Sequence, residues 1–452
     1  MRNSGDQIKL SVFMMGDSNY HVGGWRHPEA AVDAAVNFRR WVDFANILED
    51  AKFDMLFLAD GPGIPGFDNK EALRGNTKSE RFEPLTLLAA LSAVTNRLGL
   101  AATGTTTYTE PYNLARTLAS VDLLSRGRAG WNVVTGGNPE DAKHFGLDRH
   151  VPSQERYARS EEFVDVVLAL WDSIEPDAFP RDKVSGTYAD PTKLHAINHV
   201  GRTYAVKGPL SISPSPQGRP ILIQAGQSEE GRELAARIAD VVFTATFSLE
   251  TAKAFYADIK SRAAKKGRDP NHVKIMPGVS ITVAASEGEV LRKEAQLHSF
   301  IDLEVAMAQL SEYLGGVDLS GYGLDEPAPE FVSNDARVAS ASAFNAISRA
   351  DNLTLRRLAL RVASSRFHFA LRGTPVQVAD VLERWFQEGA ADGFNLLPNI
   401  VPGSITDVVD MVLPELRRRG LFREDYEGST LRENLSLPQL EAGVTRCGQA
   451  RA

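Results

Sequence analysis

The sequence predicts an α/β fold in which eight parallel strands alternate with helices and close into a (β/α)8 barrel. Short apolar runs alternate with segments of helical period along most of the chain. Polar residues that suit a binding site follow several different strands, and a barrel brings such strand ends to one mouth. A doubly wound open sheet is the alternative, but it gathers its ligand at a single switch point.

The predicted strands are short, apolar and bounded by residues typical of turns. They cover 8–14, 53–59, 98–103, 129–134, 221–223, 240–245, 273–283 and 393–397. The predicted helices cover 37–50, 84–94, 113–124, 153–171, 249–265, 287–314, 334–371, 376–388 and 405–418, with a further helix after Ser228. Each helix carries apolar residues on one side, as expected of helices that cover a barrel.

The chain has 452 residues and is expected to form one decorated barrel domain over 1–452. The segment 172–218 has little periodicity and is rich in Pro, Gly and Asp, so we expect a lid there. The region of about 287–371 exceeds the repeat and is expected to be an insertion. The polar tail, about 420–452, is expected to wrap the surface.

Composition excludes several classes of protein. The chain is 43% apolar and 24% charged, and its net charge of −8 argues against nucleic-acid binding. No apolar run is long enough to span a membrane, and the N-terminus lacks the apolar region of a signal peptide. Cys447 is the single cysteine, so an intrachain disulfide is impossible. A cytoplasmic location is therefore expected.

The turn after the fifth predicted strand is the best candidate anion site. Gly226 and Ser228 lie between the apolar run 221–223 and a helical segment that carries Leu234 and Ile238 on one side. Ser228 is a favourable N-cap, and a helix start offers free N–H groups that suit a phosphate. An ordinary capped turn is the alternative, because such junctions are common in α/β proteins.

Other candidate site residues follow the strands or end them. His21 in the first loop is the candidate acid or base, and Trp25 and Arg26 are candidate substrate contacts. Asp60 follows the second strand, and Asn132 on the fourth needs a hydrogen-bond partner if it is buried. Each residue has a structural alternative, such as loop packing or solvation. No metal site is expected, because the predicted mouth has no His-rich ligand set.

The ordered set of motifs resembles the bacterial-luciferase-like flavin monooxygenases, in particular the subgroup of nitrilotriacetate, EDTA and dibenzothiophene-sulfone monooxygenases. The matching segments span nearly the whole chain: Gly24-Trp-Arg-His-Pro28, Phe57-Leu-Ala-Asp60, Tyr108-Thr-Glu-Pro-Tyr112, Gly130-Trp-Asn-Val-Val-Thr135, Arg156-Tyr157, Gln224-Ala-Gly-Gln-Ser228, Gly373-Thr-Pro375 and Asp392-Gly-Phe-Asn395. Each motif is weak alone, and the order makes the set specific.

The resemblance implies a luciferase-like TIM barrel with a large insertion that binds FMN. It maps the flavin contacts onto Asp60, Thr106, Asn132, Arg156, Tyr157, Gly226 and Ser228, with the last two at the phosphate and Arg156 as its counter-charge. Ser153 stands where family members often carry His, so His150 is expected to substitute for that contact. The implied phosphate site follows the fifth strand, whereas the common barrel site follows strands seven and eight.

We therefore expect a two-component FMNH2- and O2-dependent monooxygenase acting on a small organic substrate, with C–S or C–N cleavage among its outcomes. The resemblance further implies diffusing reduced FMN from a separate NAD(P)H:flavin reductase, and a homodimer or homotetramer. A non-catalytic flavin binder, a deazaflavin-dependent oxidoreductase and a non-flavin hydrolase are the alternatives. The substrate itself depends on 172–218, 315–329 and the first loop, where such barrels vary.

Overall fold

The computed structural model describes residues 5–16, 20–332, 338–366 and 368–440, and within them the predicted barrel is confirmed. The strands in chain order are β1 (Lys9–Met14), β2 (Met55–Leu58), β3 (Gly99–Thr105), β4 (Ala129–Val134), β5 (His199–Val200), β6 (Ala205–Val206), β7 (Ile221–Gln224), β8 (Val241–Thr244), β9 (Lys274–Val283), β10 (Phe369–Gly373) and β11 (Gly393–Leu396). The barrel order is β1-β2-β3-β4-β7-β8-β9-β11, and β11 pairs with β1 to close it.

All neighbouring strands of the barrel are parallel, and every second residue of a strand points into the lumen. Ser11 pairs with both Met55 and Asn395, and Thr103 pairs with Asn132. Because successive side chains point to opposite faces of a strand, Trp131 faces the outer helices while Asn132 faces inward. The C-terminal ends of the strands therefore form one mouth, as the sequence predicts.

Helices follow most barrel strands and cover the outside of the barrel. In chain order they are α1 (Phe38–Asp50), α2 (Lys70–Arg74), α3 (Pro84–Ser92), α4 (Pro111–Leu124), α5 (Asp141–His144), α6 (Ser153–Trp171), α7 (Glu229–Ile238), α8 (Leu249–Lys265), α9 (Glu287–Ser299), α10 (Leu303–Tyr313), α11 (Val338–Asp351), α12 (Leu355–Ser365), α13 (Pro375–Gln387), α14 (Gly403–Asp407), α15 (Leu413–Arg418) and α16 (Leu431–Asn434). Within the described ranges, every helix is too short or too polar to cross a bilayer.

The expected single helix 405–418 is interrupted by a wider π turn, Val408–Val412, between α14 and α15. Pro414 explains the interruption, because proline lacks an N–H and its ring clashes with the carbonyl four residues earlier.

The insertion after β9 differs from the two long helices that the sequence predicts. The region 287–314 breaks at 300–302, where the Asp302 carboxylate accepts the backbone N–H of Glu304 and so starts α10. The second region forms α11, α12 and then β10, which pairs with β9 outside the barrel; residues 333–337 and 367 lie outside the described ranges. The insertion has its own apolar core, which includes Phe344 and Leu358 and takes in Val22 from the first loop.

The cavity at the mouth does not support the prediction of a lid at 172–218, because none of its lining residues lies in that segment. It joins the C-terminal end of α6 to the N-terminal end of β7, and both lie at the opposite face of the barrel. Its backbone binds Glu162 of α6 through Thr203, and Gln217 binds Asp122 at the end of α4. The segment therefore forms an outer wall, and the insertion covers the mouth instead.

The described part of the C-terminal tail closes the bottom of the barrel instead of wrapping the surface. Leu431, Leu435 and Leu437 pack in the same cluster as the lumen residues of β2, β7 and β8. Arg423 binds the Asp54 carboxylate at 2.7 Å, and both side chains are buried. The overall polarity of the tail does not predict this packing, because only a few of its residues are apolar.

Candidate active site

A cavity of about 280 Å³ opens at the mouth of the barrel. Its walls come from the loops after β2, β3 and β4, from α10 of the insertion, and from the end of α12. Lining residues from these elements include Asp60, Thr105, Val134, Gly136, Gln309 and Arg366. Loop 61–78 is held against the insertion by an ion pair of 2.9 Å between Arg74 and Asp302. The cavity therefore depends on contacts between the barrel and its insertion.

Asp60 lies on the wall of this cavity, as the sequence predicts for a residue after the second strand. Its carboxylate forms an ion pair of 3.0 Å with the Arg81 Nε, and both side chains are largely buried. Arg81 also donates to the backbone carbonyl of Gly63 at 3.0 Å. Arg81 was not singled out from the sequence, because it lies in an aperiodic loop without a motif. It fixes both the Asp60 carboxylate and the loop around it.

Thr106 does not face the cavity. Its side chain is fully buried, and its backbone N–H and hydroxyl both donate to the carbonyl of Val134. The neighbouring Thr105 lines the cavity instead. Successive side chains at the end of β3 point in opposite directions, so Thr105 and not Thr106 points to the mouth. The predicted flavin contact therefore suits Thr105 better than Thr106.

Asn132 lies in the lumen and is 4% exposed. Its Nδ2 donates to the Thr103 hydroxyl at 2.9 Å, while its Oδ1 is buried without a hydrogen-bond partner among the described residues. A buried acceptor without a partner costs on the order of 1–3 kcal/mol. A ligand N–H at the floor of the mouth would satisfy it.

The turn after β7 has the geometry of an anion cradle. Ser228 caps α7 by accepting the Gly231 N–H at 3.2 Å, and its hydroxyl donates to the Tyr157 hydroxyl at 3.3 Å. A Cβ built on Gly226 would lie 2.9 Å from the Cα of Gly231 and 3.1 Å from the Tyr157 oxygen. The close approach of these groups leaves room only for glycine. The Gly226 N–H donates to the Gln224 side chain, whereas residues 227–230 at the start of α7 are exposed and offer a helix start that suits an anion.

His150 and Arg156 connect this turn to the cavity. The His150 Nδ1 lies 2.6 Å from the Tyr108 hydroxyl, and its Nε2 contacts the Arg156 guanidinium. Burial and the Arg156 charge lower the pKa of His150. Gly136, on the cavity wall, lies beside Tyr108. The Arg156 Nε is buried without a hydrogen-bond partner among the described residues, so this cation has capacity left for a ligand. Ser153, at the start of α6, is exposed.

His21, Trp25 and Arg26 lie in the first loop, under the insertion, and are not among the residues of the cavity wall. His21 is 2% exposed and stacks on His298 with ring centroids 5.6 Å apart. Burial lowers its pKa to about 3, so the ring is neutral and cannot serve as a general acid near neutral pH. The Arg26 guanidinium donates to the Phe300 carbonyl at 2.8 Å, and Trp25 is partly exposed.

The residues present fit a flavin phosphate. They provide a helix start with a closely packed glycine, the Arg156 cation with a nitrogen unpaired among the described residues, and the buried Asn132 acceptor two residues before Val134 of the cavity wall. The fold is that of a TIM barrel with a cavity at its mouth, which is where enzymes of this fold bind their ligands. Among the residues that the structure describes, no group of three His, Cys, Asp or Glu side chains is placed to hold a metal ion.

Comparisons with known proteins agree with this class. The family model described as luciferase-like monooxygenase matches residues 18–392. An N-acetyl-S-(2-succino)cysteine monooxygenase of Bacillus subtilis (strain 168) is 45% identical over 97% of this chain and 98% of its own length. Nitrilotriacetate monooxygenase component A of Aminobacter aminovorans is 44% identical over 96% of this chain and 97% of its own length.

Among solved structures, riboflavin lyase (RcaE) with modified FMN and riboflavin superposes with a TM-score of 0.85, at 33% identity, covering 98% of both chains. The chain belongs to the luciferase-like monooxygenase family. It is a flavin-dependent monooxygenase, and its family uses reduced flavin and O2 on small organic substrates.

Proposed function

We propose that this protein is the oxygenase component of a two-component system. It takes FMNH2 from a separate NAD(P)H:flavin reductase and uses O2 to oxidise a small organic substrate. The bound flavin would supply the oxygen chemistry, and the chain supplies binding, orientation and exclusion of water. The designation "component A" of one relative supports a separate reductase.

The single observation that carries the choice of FMN is the turn at Gly226 and Ser228. Its close packing against Tyr157 exposes the start of the ten-residue helix α7, and Arg156 lies in the adjoining helix turn beside Tyr157. Helix N-termini favour phosphate because their N–H groups and dipole point at it. Riboflavin has no phosphate, so this site distinguishes FMN from riboflavin.

We assign Asp60 and Asn132 to contacts with the flavin ring. Asp60, held by Arg81, offers a carboxylate at the cavity wall, and Asn132 offers a buried acceptor below it. Both suit the N–H groups of a flavin, which has several on its polar edge when reduced. The apolar wall provided by Val134 limits access of water to the ring.

The relatives support substrates in which carbon is bonded to sulfur or nitrogen. One relative is named for an S-substituted cysteine and another for nitrilotriacetate. Oxygenation of a carbon next to such a heteroatom gives an unstable product that separates into two parts. We therefore extend the proposal to cleavage of C–S or C–N bonds.

The first experiment is an anaerobic titration with reduced FMN and with reduced riboflavin. Because the phosphate adds charge-assisted hydrogen bonds worth about 1.5–3 kcal/mol, we expect FMN to bind roughly 10- to 100-fold more tightly. In Gly226→Ala the added methyl group forces the cradle apart, and the preference for FMN should fall toward one. Gly321→Ala is the control, since a Cβ there meets nothing within 4 Å. Equal affinity for both flavins in the wild type would refute the phosphate site.

A further inference from the structure

Arg366 lines the mouth cavity but has no role in the flavin site. It ends α12, and its side chain reaches the cavity from the insertion. The residue is 6% exposed, and its buried Nε has no hydrogen-bond partner in the described part of the chain. Among the described residues, no carboxylate forms an ion pair with it. A buried cation without a counter-charge is costly, which indicates that its partner is a ligand.

The backbone of Arg366 supports the same conclusion. It adopts the left-handed conformation, with φ 44° and ψ 42°, at the end of α12. Glycine or asparagine is the usual residue at such a helix end, because a larger side chain there is strained. Backbone strain of this kind is often found at functional sites, although Arg126 at the end of α4 has a similar conformation.

Arg366 has a second cation as its neighbour. Its guanidinium lies 5.5 Å from the centre of the Tyr20 ring, and the Lys78 ammonium lies 5.9 Å from the same centre. Lys78 also lines the cavity. Together the two charges help to lower the pKa of His368, although burial is the largest cause. Two basic side chains, Arg366 and Lys78, therefore lie on the cavity wall beside Tyr20.

The acidic residues of the cavity lie elsewhere or are already bound. Asp60 is paired with Arg81, and Asp141 accepts a hydrogen bond of 3.1 Å from Asn138. The Glu312 carboxylate, which also lines the cavity, lies beside Gly66. The neutral histidines near Arg366 add no charge, because burial keeps the pKa of His21 and of His368 at about 3.

We propose that Arg366, assisted by Lys78, binds a carboxylate of the substrate, so that the enzyme selects organic acids over their neutral esters and amides. This inference rests on the proposed function and names the substrate class for the same cavity. The planar guanidinium fork matches the two oxygens of a carboxylate. Anchoring the acid at the insertion leaves the rest of a small molecule directed toward the barrel mouth, where Asp60 and Asn132 are expected to hold the flavin ring.

The test compares matched acids and esters as substrates. Wild-type enzyme is supplied with NADH, a generic flavin reductase and FMN, and then with (methylthio)acetate or its methyl ester, and with iminodiacetate or its diamide. We expect kcat/KM to be at least about tenfold higher for the acids, the fold-change that one hydrogen-bonded charge pair supplies. A sulfonate analogue shows whether the site requires a planar anion. Equal kcat/KM for acid and ester would overturn the proposal.

Variants assign the preference to Arg366. Arg366→Gln should lower kcat/KM for the acids about 10- to 100-fold and leave the esters nearly unchanged. Arg366→Asn has the same expected effect and suits the left-handed backbone, so it serves if the first variant folds poorly. Arg357→Gln is the matched control, because Arg357 lies exposed on the same helix. An acid preference that survives in both Arg366 variants contradicts the assignment.

Two further measurements separate this inference from the proposed function. If reduced FMN does not bind to the wild type, the proposed function fails. If FMN binds but no probe is oxidised, thermal stabilisation by succinate against succinamide, at equal ionic strength, decides whether a carboxylate binds. Stabilisation by succinate that is lost in Arg366→Gln supports the site, and equal responses to both compounds refute it. Loss of the FMN-over-riboflavin preference in Arg366→Gln would instead place the flavin phosphate here.

Discussion

Asn132 is the residue whose surroundings most directly require a ligand. The Asn132 Nδ2 donates to Thr103, whereas the Oδ1 has no hydrogen-bond partner among the residues that the structure describes. Native proteins rarely leave a buried side-chain acceptor in this state. Such an atom in a barrel lumen is therefore better explained by a bound ring than by packing.

Asn132→Ala should weaken binding of reduced FMN about five- to tenfold, since one neutral hydrogen bond contributes about 1 kcal/mol. The thermal stability of the ligand-free protein should change little by comparison, because the substitution removes an unsatisfied group together with one good bond. Anaerobic titration and thermal melting measure the two quantities. Asn46→Ala, on the exposed face of α1, is the control. Unchanged FMN affinity in Asn132→Ala would exclude Asn132 from the ring contacts.

At the scale of elements, Asp122 shows how the wall segment 172–218 is attached to the barrel. This carboxylate at the end of α4 accepts hydrogen bonds from the Ala129 N–H at 3.0 Å and from Gln217 at 2.6 Å, and it contacts the Ser215 hydroxyl. Burial nevertheless raises its pKa to about 6. Ionisation of Asp122 is thus unfavourable in the folded protein.

The raised pKa predicts a pH-dependent stability. A carboxyl whose folded pKa exceeds its unfolded value of 3.8 stabilises the fold fully below that value, and the contribution is lost as the pH rises through about 6. The difference between the folded and unfolded pKa of Asp122 corresponds to on the order of 3 kcal/mol in the free energy of unfolding. In Asp122→Asn this loss is absent, so its melting temperature relative to wild type should improve between pH 5 and pH 8.

The melting temperature of each protein across this pH range provides the test. Asp43→Asn is the control, because Asp43 is half exposed and pairs with Arg39 on the surface of α1; its difference from wild type should stay constant. A constant difference for Asp122→Asn as well would show that Asp122 titrates normally in the fold.

The sequence predicts elements well where a local pattern determines them. Helix α6 and helix α8 have the predicted bounds, since apolar residues recur at helical spacing in both and Ser248 caps the start of α8. The position of a connection is not a local property. Segment 172–218 resembles a lid in composition, but its place follows from joining a helix end to a strand start, at the face away from the mouth.

The residues of the candidate site also differ in whether a local sequence pattern predicts them. Asp60, Asn132 and Ser228 could be predicted because they follow a strand, interrupt an apolar strand or cap a helix in recognisable motifs. Thr105 was missed because a one-residue alternation separates it from Thr106. Arg366 gives no sequence signal, since its importance arises only when the insertion folds back over the barrel and brings α12 to the cavity.

At the scale of the whole molecule, the barrel is closed at both ends by chain outside the repeat. The insertion covers the mouth and contributes α10 and Arg366 to the cavity. The tail seals the bottom with α16, and the buried Arg423–Asp54 pair fixes it to β1 through the Leu10 N–H. With the bottom plugged, the mouth cavity is the side from which a ring can reach Asn132. In our proposal, the insertion therefore selects the substrate and the barrel holds the cofactor.

The most direct test of this account is a crystal structure of the protein with bound FMN. We expect the phosphate at the start of α7, in contact with Ser228 and Arg156, and the isoalloxazine in the mouth cavity between Asp60 and Asn132. A flavin whose phosphate lies beside Arg366, or whose ring lies outside the cavity, would contradict the account.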